Sequence, residues 1–181
     1  MADLQEKYGI EQQYEMEIPN YSMGTIIQLK KNTFLALGNT RVFIFRKGRI
    51  IKSFPIALST IVMIPEYNLF VGVTLTQPQF VLIPMASKLV PTYTGLKIND
   101  ISIFNIVFFP KISVLATFGE KIQTWKINYS PPTLLEKSHC EISFLKFVFH
   151  NNESYILNPP IADIRTNRFF IPNGDFLKIY E

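Results

Sequence analysis

ISIFNIVFFPKISVLATFGEKIQTWKI, residues 101–127, reads as three short strands of one antiparallel unit. Ile101, Ile103, Ile106 and Phe108 form a first apolar run, closed by Pro110. A second runs from Val114 to Phe118. Gly119-Glu120 turn the chain into a third, Lys121 to Ile127, which carries the only tryptophan, Trp125. Proline ends a strand because it has no N–H to give the ladder, and glycine supplies the backbone freedom of a short turn.

The unit repeats. Shifted by 45 residues, ALSTIVMIPEYNLFVGV (57–73) falls on SIFNIVFFPKISVLATF (102–118), with Ile61 and Val62 on Ile106 and Val107 and Pro65 on Pro110. The third strand recurs as NTRVFIF (39–45), QPQFVLI (77–83) and GDFLKIY (174–180), which makes Phe45, Ile83, Trp125 and Tyr180 equivalent at spacings of 38, 42 and 55. Periods near 40 with several short strands in each point to an all-β chain of about four antiparallel β-propeller blades. A non-repeating β-sandwich spaces its strands similarly and is the alternative.

In chain order, residues 1–20 are an acidic leader in which Tyr14, Met16 and Ile18 alternate with Glu15 and Glu17, a strand pattern that competes with a weak amphipathic helix. Blades follow at about 21–55, 56–96, 97–139 and 140–181. The first is expected to hold strands at 25–29, 33–37, 41–46 and 49–54, turning at Asn39-Thr40 and Lys47-Gly48. Pro78, Pro84 and Pro91 mark the later strands of the second as edge or irregular segments. The outer strand of the third is expected near Leu134–Ser138, after Pro131-Pro132. In the fourth, Ile142, Leu145 and Phe147 open the blade, Ser154–Leu157 follows, Pro159 to Thr166 is an insertion, and Asn173-Gly174 turns Arg168–Ile171 into Phe176–Tyr180. No strand follows Tyr180. The expectation is a part-propeller completed by another chain, or a piece of a larger propeller, rather than a four-blade ring closed by Tyr14–Ile18.

Composition agrees with a packed β domain. The chain has 181 residues, is 48% hydrophobic and 14% aromatic, and includes sixteen Phe and eight Tyr. No apolar run reaches the length of a membrane helix, and MADLQEKYGIEQQ lacks the apolar core of a signal peptide. A single cysteine, Cys140, excludes an internal disulfide and a cysteine-based zinc site, which points to the cytoplasm or another reducing compartment. Net charge is +4, split unevenly: five acids against Lys7 in residues 1–20, and 17 basic against 9 acidic residues thereafter.

These residues resemble the WD-repeat family of β-propellers. His139, Ile142, Leu145 and Phe147 are similar to the opening of that family's unit. GEKIQTWK (119–126) is similar to its end, with Trp125 on the Trp position and Lys126 where Asp is usual. The resemblance covers about 22–181 in four degenerate copies, and implies structural roles for Trp125 and for His139, which would bond within its blade. The Asp of the family's buried hydrogen-bond network is missing from the third copy, where Gly119 and Glu120 occupy the turn, whereas Asp175 sits in the corresponding turn of the last copy. The implied role is a non-catalytic platform for other proteins, with no cofactor and no metal; that step from fold to role is analogy.

The sharpest charged cluster is FRKGR, Phe45 to Arg49. It loosely resembles the Phe-Arg-Arg-Gly motif of phosphoinositide-binding propellers, which implies an alternative reading as a membrane adaptor whose Arg46, Lys47 and Arg49 hold a phosphate. The plain reading is a solvated hairpin tip. Nucleic-acid binding is not expected, because the aromatics sit at core periods and the basic residues are interleaved with them. No phosphate loop, nucleophile elbow or H-E-x-x-H occurs. His139 and Cys140, adjacent on a strand, face opposite ways and make no nucleophile pair.

Overall fold

The computed structural model describes residues 25–85, 90–100, 102–130, 139–150, 161–173 and 176–180. The chain is all-β and divides into two compact units between Ile56 and Ala57. The first unit holds one four-stranded meander, β1 (Ile26–Lys30), β2 (Thr33–Leu37), β3 (Val42–Arg46) and β4 (Arg49–Phe54), paired in that order. All four strands lie within a residue of their expected limits. Leu35, Ala36, Leu37, Val42, Phe43 and Ile44 bury the two middle strands, while β1 and β4 form the edges.

The second unit holds two further four-stranded meanders and a three-stranded sheet. The second sheet is β5 (Leu58–Ile64), β6 (Leu69–Thr74), β7 (Gln79–Pro84) and β8 (Thr92–Lys97). The third is β9 (Asn105–Phe109), β10 (Val114–Phe118), β11 (Lys121–Ser130) and β12 (His139–His150). The last is β13 (Ile161–Asp163), β14 (Arg168–Asn173) and β15 (Phe176–Tyr180). Every sheet is built from consecutive antiparallel strands, so each closes its backbone hydrogen bonds locally.

The 45-residue repeat is visible in the backbone. β5 and β9 both run into a proline, Pro65 and Pro110, that starts a short turn. In one turn the Asn68 N–H donates to Pro65 O at 3.0 Å, and in the other Ser113 N–H donates to Pro110 O at 3.3 Å. Asn68 (φ 50°) and Ser113 (φ 52°) both adopt the left-handed region as the chain enters the next strand. β6 and β10 are buried along their whole lengths, which is why they read as unbroken apolar runs.

The second and third sheets pack face to face. Ile64, Leu69, Val71, Val73, Phe80 and Leu82 meet Ile106, Phe108, Leu115, Trp125, Ile127 and Ile142 in one core. The opposite face of the third sheet, Phe109, Ala116, Phe118 and Ile122, packs against Ala162 of β13.

Three expectations need correcting. β7 is not an edge: it pairs with both β6 and β8 and is buried from Phe80 to Ile83, because its prolines stand before and at the end of the strand rather than inside it. Residues 139–150, read as the opening of a fourth blade, form the outer strand of the third sheet, with Ile142 opposite Ile127 and Phe144 opposite Trp125. Alternation cannot say which sheet a strand joins, and the ten-residue β11 offers the longest free edge to pair. Ile161–Asp163, placed within an insertion, are a strand, and Asp163 accepts from the Arg165 N–H (2.9 Å) and the Thr166 hydroxyl (2.7 Å) to turn the chain into β14. Residues 1–20, 134–138, 154–157 and Gly174 lie outside the described residues; Asn173 pairs with Phe176 across that last turn.

Candidate functional site

Trp125 is 2% exposed between the second and third sheets, edge-on to Phe80 (5.0 Å between centroids) and to Phe144 (5.2 Å). Its indole N–H donates to the Thr117 hydroxyl at 3.1 Å, which satisfies the one polar atom of a large apolar side chain. Thr117 sits opposite Gln123 in the β10–β11 register. Buried polar groups at this level therefore line the β10–β11 end of the core.

Asp100 was not singled out from the sequence, yet it organises the turn beside them. Its carboxylate is buried and accepts two backbone N–H groups, from Lys121 (2.9 Å) and Ser102 (3.1 Å). It thereby ties the β10–β11 turn to the segment before β9. A Cβ on Gly119 would lie 2.6 Å from Asp100 Oδ2, so this position has to be glycine for the carboxylate to approach. The corresponding turn of the second sheet uses a hydroxyl: Thr74 Oγ1 accepts from the Gln79 N–H at 3.0 Å and donates to Gln77 O.

His139 begins β12 opposite Ser130, five residues along β11 from Trp125, so the two are not brought together. Cys140 is half-buried, and burial pushes its thiol up to about 11, which keeps it protonated and poorly nucleophilic at neutral pH. Among the described residues no three His, Cys, Asp or Glu side chains gather to hold a metal ion. No described helix is long and apolar enough to cross a membrane.

A cavity of about 600 Å³ opens between the outer strands of the second and third sheets. Tyr67, Tyr93 and Tyr129 line it with Pro84 and Leu96, and Cys140 and Glu141 bring β12 to its wall. Tyr67 stacks on Tyr129 at 4.6 Å and holds its hydroxyl 3.3 Å from Ser113 Oγ, so the aromatic floor is fixed by the repeated turn. Among the described residues Glu141 is the only charged one in the lining. The three tyrosines are far apart in sequence and carry no shared motif, which is why reading the chain missed them.

The FRKGR cluster forms the β3–β4 hairpin. Lys47 (φ 50°) and Gly48 (φ 73°) are its two central residues, both left-handed as a type I′ turn requires. Arg46 and Arg49 face each other across it. Phe45 is half-buried and stacks on Phe34 at 5.4 Å. The structure adds Lys30 and Lys31, because the Lys47 N–H donates to Asn32 O (3.0 Å) and joins the hairpin to the β1–β2 turn. No protein-family model matches the chain, and comparison with curated proteins finds no match.

Proposed function

We propose that the chain is a non-catalytic protein-interaction scaffold built on WD40-like propeller blades and working within a larger assembly. The observation that carries this reading is the recurrence of one four-stranded meander, with the same proline turn in the same register, stacked face to face on the next copy. Stacked meanders hold their connecting turns on a rigid base, and rigid turns are what a docking platform presents. The tyrosine-lined groove between β8 and β12 is the surface most suited to a protein partner, since aromatic side chains dominate interface energetics. The reading assigns no catalytic residue and no cofactor, and a cytoplasmic setting suits the single protonated thiol.

Affinity capture from native cells, with cross-linking to map contacts, tests it. A partner cross-linked at β8 or β12 and lost on combining Tyr93→Ala with Glu141→Arg is the expected outcome. Retention of every partner by that variant would remove the groove from the proposal, and turnover of any substrate by the purified chain would overturn the non-catalytic reading.

A further inference from the structure

The β1–β2 and β3–β4 turns gather five cations on one end of the first sheet. Lys30 pairs with Thr33, Thr33 with Arg46, and Arg46 with Arg49, so one register row crosses all four strands and three of its four residues are cationic. Directly paired residues share a face of the sheet, and three strand spacings make this row about 14 Å wide. Lys31 and Lys47 stand in the two turns that the Lys47-to-Asn32 hydrogen bond joins. All five side chains are exposed. Residues 21–65 contain no Asp or Glu, so this sheet supplies no carboxylate to offset them. Arg46 directly opposite Arg49 is an unfavourable pair in a sheet, which a bound anion would relieve.

Apolar side chains stand next to these cations. Ile50 pairs with Phe45, on the face opposite the Arg46–Arg49 pair but at the same end of the sheet, and is 41% exposed. The β3–β4 register shifts between Ile44 and Phe45, which leaves Ile51 as the extra residue of a bulge, 58% exposed. Water is a poor setting for two neighbouring isoleucines, and an acidic polypeptide held by the cations would do little for them. The bulge also bends the edge strand and works against the addition of a peptide strand there.

We propose that this end of the first sheet is a membrane-contact surface, in which the Lys30–Arg49 cation row and the two turns lie on an anionic lipid bilayer while Ile50 and Ile51 enter its interface. Clustered cations are drawn to the negative surface potential of such a bilayer, and short apolar side chains beside them gain by leaving water. This goes beyond the scaffold reading and does not depend on it.

Co-sedimentation of the full chain with phosphatidylcholine vesicles, with and without phosphatidylserine, tests the proposal. Binding is expected only with phosphatidylserine. It should fall steeply between about 0.1 M and 1 M salt, where the screening length drops from about 10 Å to about 3 Å. Each cation removed should weaken partitioning about fivefold, so combining Arg46→Ser, Lys47→Ser and Arg49→Ser should cost on the order of a hundredfold. Ile50→Ser with Ile51→Ser, which keeps every charge, should weaken it about tenfold. Circular dichroism of each variant checks that the strands persist. Failure to bind phosphatidylserine vesicles overturns the proposal. So does binding to polyglutamate alone, or binding confined to phosphoinositide vesicles, displaced by soluble inositol phosphate and unchanged by the isoleucine variant.

Discussion

Phe45 and Trp125 stand at the same place in their sheets, on the third strand, opposite a second-strand residue (Phe34 and Leu115). Trp125 is closed in by rings from two sheets and spends its one polar atom on Thr117. Phe45 stacks on Phe34 and has a turn of exposed cations beside it. One repeat position thus serves as a core anchor in one sheet and as the flank of a surface in the other. Strand pattern sets the register, and what covers the face sets the role.

Truncation sharpens the comparison most. Trp125→Ala should cost about 3–5 kcal/mol, the range for large aromatic-to-alanine changes in a closed core, read from denaturant melts. Phe45→Ala removes a half-buried ring and should cost about 1–2 kcal/mol. Equal losses would break the comparison and make the two positions alike.

The turn beside Trp125 comes next. Asp100→Ala leaves the Lys121 and Ser102 N–H groups without their acceptor and should cost about 1–3 kcal/mol. Gly119→Ala pushes a Cβ onto the same carboxylate. Its penalty should shrink in the Asp100→Ala background, because the clash and the bond involve one oxygen. A double-mutant cycle showing simple additivity would mean that the glycine is held by something else.

Cys140 gives a smaller, pH-dependent effect. Burial disfavours the thiolate and pushes the folded thiol up to about 11, from 9.0 for a free cysteine. Between those values the unfolded chain releases a proton that the folded chain keeps, so stability falls as pH rises through that window. Replacing Cys140 with Ala should flatten this decline. The same slope in both proteins would place the effect on other groups.

Much of the architecture was legible in the residues because prolines and turn residues punctuate it. Pro65 and Pro110 mark equivalent turns, and Lys47-Gly48 announces its hairpin. What the chain could not disclose is partnership between distant segments. β12 carries an alternating pattern that suits the start of a new sheet as well as the end of an old one, and only its pairing with β11 decides. Asp100 looks like a surface acid in a loop until the β10–β11 turn is folded over it. Lys30 and Lys31 lie 15 or more residues before the hairpin they join, although the absence of any acid from 21 to 65 was visible throughout.

The smallest effect is expected where the comparison is most exposed to failure. Arg46 and Arg49 are both solvent-exposed, and they face each other with like charge. Exposed charges contribute little to stability, and removing a repulsive pair offsets whatever packing their aliphatic stems lose. Arg46→Ala with Arg49→Ala should therefore change unfolding free energy by no more than about 0.5 kcal/mol in either direction. Raising salt should lower the stability difference between variant and parent further, since screening removes the repulsion from the parent alone. A loss above about 1 kcal/mol would show that the arginines brace the hairpin. The first sheet's rim would then be a structural element like the Trp125 core, and the contrast between Phe45 and Trp125 would no longer separate surface from scaffold.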